Sequence, residues 1–209
     1  KLYSVIAHDL RSPMGSIKMV LNMLMLNLPV EKIGAEMYEL LTMANRTTED
    51  VFSLLDNLLK WTKSQIGNLN VVYQDVDAVE VVDSVIDVFN MVAGLKKITI
   101  REEKPEKLPV CTDIDMLKTI IRNLLSNAIK FSNENSEVLV KMEEQGDTVV
   151  VSVKDSGCGI DEEGQKKLLH TDTHFSTFGT NNEEGSGLGL LLCQDFAVKS
   201  GGKLWFTSK

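Results

Sequence analysis

The chain has 209 residues, of which 43% are hydrophobic and 25% are charged, and its formal net charge is −8 at pH 7. This length fits one large or two small domains with a packed core. The acidic balance argues against general binding to nucleic acid or to an anionic membrane surface. Any polyanion must therefore be held locally, by a few cations, a metal ion or backbone amides.

The sequence lacks the usual signs of a secreted or membrane-spanning chain. Its cysteines, Cys111, Cys158 and Cys193, are odd in number and far apart, which favours a reducing compartment. No apolar run of about 18 residues and no signal peptide is present. Because the chain starts without Met, only seven residues before His8, we expect a soluble segment of a longer protein.

The N-terminal part predicts two antiparallel helices, because apolar residues step by four and three in each. The first helix is expected to end near Leu28, where Pro29 and Gly34 bracket a turn. The heptad seams are Leu10, Met14, Ile17, Leu21, Leu24 and Leu28 in the first helix, and Met37, Leu41, Ala44, Thr48, Val51, Leu55 and Leu58 in the second.

A second apolar edge beside the seam predicts dimerisation. One hairpin would leave this edge exposed, whereas two hairpins paired in a four-helix bundle would bury it, so we predict a twofold homodimer. A plain coiled-coil spacer would show the same heptads, but Pro13 removes a helical hydrogen bond and argues against it. The edge consists of Phe52, Leu54, Leu59 and Trp61.

His8 lies in the string AHDLRSP at residues 7–13, near the start of the first helix. At about 100° per residue it lies roughly 160 to 240° from every seam residue, so its side chain is expected to point outward. An outward histidine followed by an acid, with a hydroxyl one turn on, could be modified and presented to a partner. Taken alone, a solvated surface histidine is the ordinary interpretation.

From about residue 70 the pattern predicts a compact α/β domain with a layer of helices on a mixed sheet. We expect one domain at residues 1–67 and a second at residues 68–209. Strands are predicted at residues 69–73, 98–101, 138–142, 149–153 and 203–206. Helices are predicted near residues 77–94, 113–131, 162–169 and 187–200.

The predicted helix at residues 113–131 has a polar face beside its apolar stripe. Relative to Asn123, Asn127 lies at about +40° and Lys130 at about −20°, so the three side chains share one face. Two carboxamides can ligate a hard cation, and a lysine supplies a point charge for phosphate. A solvated face would show the same residues. The apolar stripe is Leu117, Ile121, Leu124 and Ala128.

A loop containing Asp155, Gly157 and Gly159 follows the predicted strand at residues 149–153. Its glycines would let a ligand approach the backbone, and its aspartate could accept a hydrogen bond from an exocyclic amine such as that of adenine. An ordinary turn would use the same residues.

A second glycine-rich segment, with Gly185, Gly187 and Gly189, opens the next helix. There the backbone amides and the helix dipole can face phosphate oxygens. The polar residues 170–184 before it are expected to form a mobile lid, in which His170 and His174 are loop residues rather than metal ligands.

The order and spacing of these motifs closely resemble those of the sensor histidine kinases of two-component systems. The string NLLSNAIKF at residues 123–131 is similar to the family's N box, DSGCG at residues 155–159 to its G1 box, and GSGLG at residues 185–189 to its G2 box. HDLRSP at residues 8–13 is similar to its H box. The resemblance covers nearly all of the chain and involves two independent modules in the family's order.

The resemblance implies an α+β protein, in which a dimerising phosphotransfer hairpin precedes an α/β-sandwich ATP-binding domain of the Bergerat (GHKL) type. It implies a protein histidine kinase that uses ATP and Mg²⁺ to phosphorylate His8, then transfers the phosphoryl group to an aspartate of a response-regulator receiver domain. It also implies the cytoplasmic portion of a membrane-anchored bacterial sensor, with membrane contact only through upstream segments.

The same resemblance implies individual roles. His8 would be the phosphoacceptor, with Asp9 accepting or polarising its other ring proton. Asn127 would coordinate Mg²⁺, Asp155 would bind the adenine amine and Lys130 would contact phosphate. The implied catalytic set is His8, Asp9, Ser12 and Asn123, the last in the place of a catalytic or metal-supporting residue. The implied ATP-binding set is Asn127, Lys130, Phe131, Asp155, Gly157, Gly159, Ile160, Thr180, Gly185, Gly187, Leu188 and Gly189.

The chain departs from the family's pattern in three places. Ser12 stands where relatives often have Thr or Asn, thought to orient water for dephosphorylating the regulator, so phosphatase activity is left open. Residues 168–198 contain no Lys or Arg, and Glu183 and Glu184 precede the glycines, which predicts weak ATP affinity with a strong dependence on Mg²⁺. The family continues into a further strand after residue 206, and we expect this chain to lack it.

Two alternative functions are kept. One is a Bergerat-type ATPase or protein serine kinase with His8 merely on the surface, against which the heptad hairpin bearing the H box argues. The other is a degenerate kinase acting as a dimeric scaffold, against which the intact Asn127, Asp155 and glycines argue.

Overall fold

The computed structural model describes residues 2–28, 30–65, 70–168, 179–180 and 187–208, with the side chains of all of these except residues 2–9, 46, 50, 53, 63, 65 and 167. The chain divides into two compact units, Lys1–Leu69 and Asn70–Lys209. Each unit has its own secondary structure, and together the helices and strands make an α+β protein.

Two long antiparallel helices form the first unit. Arg11 in the first helix pairs with Asp56 in the other, and Lys18, further along the first helix, pairs with Glu49, earlier in the other, at 3.4 Å between Nζ and Oε1. The first helix runs through Pro13 without a break. The helices are α1 at Leu2–Asn27, α2 at Val30–Ile33, which was not predicted, and α3 at Ala35–Gln65.

Only alternate positions of the α1 seam are covered by α3. Leu55 and Leu59 of α3 are buried, whereas Leu10 and Ile17 of α1 are 46% and 48% exposed. A single partner helix covers a narrow strip, so part of the seam faces outward. The expectation that Leu59 lies on an exposed edge is wrong, because it packs between the helices. The half-buried side chains packed against this pair are Met14, Val51 and Leu58.

The second unit contains five strands and four helices among its described residues. The strands are β1 at Gln74–Asp77, β2 at Thr99–Glu103, β3 at Pro109–Thr112, β4 at Glu137–Gln145 and β5 at Thr148–Lys154. The helices are α4 at Ala78–Leu95, α5 at Ile114–Phe131, α6 at Glu162–Lys167 and α7 at Gly189–Lys199.

The core of this unit lies between a mixed sheet and the helices α4 and α5. β4 pairs in parallel with β2 and antiparallel with β5, while β1 and β3 form a separate antiparallel pair. Along β4, Val138, Val140 and Met142 are buried, with the period of two expected when one face of a sheet packs inward. Ile86 of α4 and Leu125 of α5 belong to the same core. The predicted mixed sheet with a helical layer is therefore confirmed.

Two aspartates start the helices of this core and also tie them to neighbouring loops. Asp77 caps α4 and accepts a hydrogen bond from Leu108 N at 2.9 Å. Asp113 caps α5 by accepting from Met116 N at 3.0 Å, and its second oxygen accepts from Val72 N at 2.8 Å. A capping aspartate satisfies amides that the first turn leaves unpaired, which is why both helices begin close to their predicted residues.

The strand predicted at residues 69–73 is wrong for residues 70–73, which are irregular, and residue 69 lies outside the described residues. The amide of Val72 is held by a side chain rather than by a ladder, and the Tyr73 hydroxyl donates to Lys199 O at 2.8 Å. The strand begins at Gln74 and pairs with β3, which was not predicted because it is four residues long and begins with Pro109.

The strand predicted at residues 203–206 is also wrong. Exposed and half-buried side chains alternate there as in a strand, but no strand within the described residues pairs with the segment. Trp205 is exposed, with Lys203 Nζ 5.3 Å from its ring centroid. Among the helices described here, none combines the length and the apolar composition needed to cross a membrane.

Candidate functional site

Helix α5 carries the polar face that was predicted from the sequence. Asn123, Asn127 and Lys130 are all half-buried along it. The predicted apolar stripe is partly wrong, because Leu117 and Leu124 are only half-buried. Helix α5 packs against α7 as well as against the sheet, and the contact with α7 widens the buried side of α5. The buried residues of α5 are Met116, Thr119, Ile121, Leu125, Ala128 and Ile129.

Asn123 is held in a fixed orientation against the start of α7. Its Nδ2 donates to Thr119 O at 2.9 Å, which leaves Oδ1 as an acceptor. Gly189 lies so close that a Cβ atom built on it would be 2.7 Å from Asn123 Oδ1. The structure therefore brings two motifs together that are far apart in sequence, and a Cβ atom at residue 189 would force the Asn123 carboxamide to shift.

The start of α7 has the features of an anion-binding helix end. Gly187 has a φ of 66°, a left-handed conformation that favours glycine, and Leu188 is the N-cap residue. The side chain of Leu188 itself makes no capping hydrogen bond. Amides at such an end can bind phosphate oxygens. Gly185 lies outside the described residues, as do His170, His174, Glu183 and Glu184.

The loop after β5 packs against the end of α5. Gly157 N donates to Asp155 Oδ1 at 2.9 Å, and Gly157 forms an isolated antiparallel bridge with Ser132. A Cβ atom on Gly157 would collide with the carbonyl oxygen of Phe131. The Asp155 side chain is exposed, so one carboxylate oxygen orders the loop while the other can accept a further hydrogen bond.

The rest of this loop is held by polar contacts. Gly159 has a φ of 66°, which favours glycine at that position. Ile160 N donates to the Ser208 hydroxyl at 2.8 Å, and Ile160 O accepts from Gln165 Nε2 at 2.7 Å. These contacts fix the backbone beside Asp155 before any ligand binds.

The end of α5 also holds Thr180. Thr180 N donates to Lys130 O at 3.1 Å, and the Thr180 hydroxyl donates to Ser132 O at 2.8 Å. The Lys130 ammonium lies 4.8 Å from the centroid of the Phe131 ring, a cation–π contact. Three residues implied by the family resemblance, Lys130, Phe131 and Thr180, therefore meet at one place.

Lys96 is a residue of this site that the sequence interpretation missed. It follows α4, is only 7% exposed, and its ammonium contacts the end of α5 and Thr180. The sequence has two adjacent lysines here, Lys96 and Lys97, and their burial differs, since Lys97 is exposed. The surrounding sequence does not indicate which of these two lysines is buried.

Cys193 of α7 is a structural residue. It is fully buried, and its thiol lies 3.8 Å from Ile120 O of α5. Burial in apolar surroundings disfavours the thiolate and raises the pKa of the Cys193 thiol to about 12. The thiol is therefore protonated at neutral pH and serves to pack α7 on α5.

The expected phosphoacceptor region lies in the first unit. His8 and Asp9 are within α1, but their side chains are outside the described set. Ser12, one turn further along, is exposed, and its backbone carbonyl accepts a hydrogen bond from the Ser16 hydroxyl at 3.2 Å. Arg11 and Lys60 both pair with Asp56 at the same level of the hairpin.

Comparison with known proteins agrees with this geometry. Residues 112–209 match the family described as histidine kinase-, DNA gyrase B- and HSP90-like ATPase. The adaptive-response sensory kinase SasA of Rippkaea orientalis is 30% identical over 98% of this chain. The solved catalytic domain of the histidine kinase ThkA is 30% identical with a TM-score of 0.56, and the match covers 64% of this chain and 86% of that one. The chain belongs to the sensor histidine kinases.

The family assignment confirms the resemblance seen in the sequence. This histidine kinase chain spans about half of SasA, since the match covers 53% of that protein. Full-length ShkA, solved in complex with AMPPNP, shares the fold with a TM-score of 0.69 and 22% identity, over 96% of this chain and 41% of that one. The family match at residues 112–209 includes α5, the Asp155 loop and α7, whereas Lys96 lies before it.

Proposed function

We propose that this chain is the kinase core of a two-component sensor, which phosphorylates itself on His8 with ATP and passes the phosphoryl group to a response-regulator receiver domain. One observation carries the proposal: Gly189 packs on Asn123 while Gly157 packs on Phe131 O, so both glycine motifs meet the same helix. A solvated helix face or an ordinary turn would not need either contact.

The residues present fit a magnesium nucleotide. The carboxamide oxygens on α5 suit a hard cation, and Asn127 would hold Mg²⁺ together with phosphate oxygens. Bound Mg²⁺ would neutralise charge on the phosphates. Asp155 would accept a hydrogen bond from the adenine amine, and the amides at Gly187 and Gly189 would face the phosphates. Lys130 would supply a positive charge beside them.

The proposed reaction is an in-line phosphoryl transfer. The neutral imidazole of His8 attacks the γ-phosphorus of ATP, a nitrogen–phosphorus bond forms, and the bond to the bridging oxygen of ADP breaks. Asp9 accepts the hydrogen bond of the other ring nitrogen and stabilises the positive charge that develops on the ring. Asn123 supports the metal or the reacting phosphate from α5.

The two units would divide these tasks. We assign residues 1–67 to dimerisation and phosphotransfer and residues 68–209 to ATP binding and catalysis. Pairing of two hairpins into a four-helix bundle would cover the exposed apolar positions of the hairpin, such as Leu10 and Ile17. The acidic composition and the absence of paired cysteines suit the cytoplasmic portion of a bacterial sensor that another segment of the protein anchors in the membrane.

Labelling with [γ-³²P]ATP and Mg²⁺ tests the proposal. We expect protein-bound label that is lost in acid, survives base, and disappears in His8→Gln. Acid-stable label that persists in His8→Gln would identify a serine kinase, and ADP release without any label would identify an ATPase. Absence of both label and nucleotide binding would identify a scaffold, and each of these three results would overturn the proposed kinase activity.

A further inference from the structure

Lys96 is a buried lysine whose ammonium group donates to oxygens of two separate segments. Its Nζ donates to Ile129 O at 3.0 Å, to Lys130 O at 2.9 Å and to Thr180 Oγ1 at 2.6 Å. The side chain is 7% exposed. Burying an ammonium is unfavourable unless oxygens compensate for the lost water, and these acceptors provide such compensation.

Part of this arrangement is an ordinary helix cap. Ile129 O and Lys130 O belong to the last turn of α5, where carbonyls lack partners within the helix and carry the negative end of the dipole. A cation there stabilises the helix. Thr180, however, is fifty residues further along the chain and belongs to no part of α5, so a capping role does not explain the shortest of the three contacts.

Thr180 shares one acceptor with Lys96, the carbonyl oxygen of Lys130, and also contacts Ser132. Thr180 N donates to Lys130 O at 3.1 Å, and the hydroxyl, which accepts from Lys96, donates to Ser132 O at 2.8 Å. A hydroxyl that accepts one hydrogen bond and donates another fixes its own orientation. Lys96 and Thr180 therefore hold the end of α5 from two sides.

The same cluster reaches the Asp155 loop. Ser132, whose carbonyl accepts from Thr180, is bridged to Gly157, and Gly157 N donates to Asp155 Oδ1 at 2.9 Å. A continuous set of hydrogen bonds thus links Lys96 to both the phosphate side and the adenine side of the proposed nucleotide site.

We infer that Lys96 is a positioning residue of the nucleotide site, which holds Thr180 against the last turn of α5 and thereby sets the placement of Lys130 and Asp155. This inference rests on the proposed function, because the ligand it serves is the nucleotide. Lys96 acts through these residues and needs no contact with the nucleotide itself.

The first test compares Lys96→Met with Lys97→Met. Methionine keeps the unbranched chain and removes the charge, and Lys97 is the adjacent, exposed lysine. With a fluorescent N-methylanthraniloyl-ADP probe and Mg²⁺, we expect the dissociation constant of Lys96→Met to rise about tenfold, as fits the loss of charge-assisted hydrogen bonds. Lys97→Met should stay within about twofold of the wild type. Thermal unfolding without nucleotide is measured in parallel.

A double-mutant cycle separates positioning from simple stabilisation. Thr180→Val alone should weaken probe binding, Thr180→Ser should restore it, and Lys96→Met combined with Thr180→Val should weaken binding little more than Lys96→Met does. If Lys96→Met fails to fold, the inference is tested by the difference in probe affinity between Thr180→Val and Thr180→Ser.

Three results would overturn the inference while leaving the proposed function intact. One is a Lys96→Met protein that loses thermal stability but binds the probe within twofold of the wild type. The second is a double-mutant cycle in which the effects of Lys96→Met and Thr180→Val on the free energy of probe binding are additive. The third is Thr180→Val binding the probe as Thr180→Ser does. A wild-type protein that binds no nucleotide would instead overturn the proposed function, and the inference with it.

Discussion

The contact between Gly189 and Asn123 predicts that Gly189→Ala has opposite effects on stability in two backgrounds. It should destabilise the wild type and stabilise an Asn123→Ala variant. In Gly189→Ala, the new Cβ would lie 2.7 Å from Asn123 Oδ1, about 0.5 Å or more inside normal contact, so the carboxamide must rotate. Rotation off a rotamer costs about 0.5–1.5 kcal/mol, and losing the 2.9 Å hydrogen bond to Thr119 O costs about 1 kcal/mol.

Helix propensity opposes this cost. Alanine is favoured over glycine in a helix by up to about 1 kcal/mol. We therefore expect Gly189→Ala to lower the free energy of unfolding by about 1 kcal/mol in the wild type. In an Asn123→Ala background the collision is absent, so Gly189→Ala should raise the free energy of unfolding. Gly94→Ala is the control, because among the described residues its added Cβ would have no neighbour within 4 Å apart from the adjoining stretch of α4, and it should only stabilise α4.

Urea unfolding followed by Trp205 fluorescence measures these changes in the second unit. The tryptophan of the first unit, Trp61, is replaced by Phe throughout so that only Trp205 reports. A destabilisation of about 1 kcal/mol corresponds to a fall in melting temperature of about 3 °C for a unit of this size. Equal changes in the free energy of unfolding on Gly189→Ala in the two backgrounds would refute the reasoning. The destabilisation would then not be caused by the collision with Asn123.

Three further predictions concern other parts of the chain. Gly157→Ala places a Cβ against the rigid backbone oxygen of Phe131 and should destabilise the second unit by about 2 kcal/mol or more in urea unfolding, and a neutral effect would contradict the packing. At pH 8 the thiol of Cys193, with its raised pKa of about 12, should react with iodoacetamide far more slowly than the exposed Cys158, as mass spectrometry of timed samples will show. ATP binding should be weak and should depend strongly on Mg²⁺, so tight binding by isothermal titration in excess chelator would contradict the charge argument.

Dimerisation through the hairpin remains a prediction that the exposed seam positions support. Ile17→Lys should convert a dimer to a monomer in light scattering, because it places a charge at an apolar position that is 48% exposed in the single chain. Lys18→Ala, at the neighbouring position, should leave the dimer in place. A monomeric wild type would contradict the prediction.

The helices and the polar motifs could be predicted from the sequence, because they depend on spacing within one segment. Helices α4 and α5 begin beside Asp77 and Asp113, which cap them, and the period of 3.6 residues places Asn123, Asn127 and Lys130 on one face. The strands were harder to predict. β1 and β3 are four residues each and are specified by pairing with one another, and residues 203–206 have the alternation of a strand without a described partner.

The sequence by itself determined the family, the two-part organisation and the identity of the motifs. Glycines, carboxamides and heptads can be recognised from their spacing within one segment, without knowing which residues they contact. Only the tertiary structure decided which groups meet. It placed Gly189 on Asn123 and turned Lys96 rather than Lys97 inward to Thr180, since a buried ammonium goes where carbonyl and hydroxyl oxygens converge. Those oxygens come from segments far apart in the chain, and no local pattern encodes their meeting.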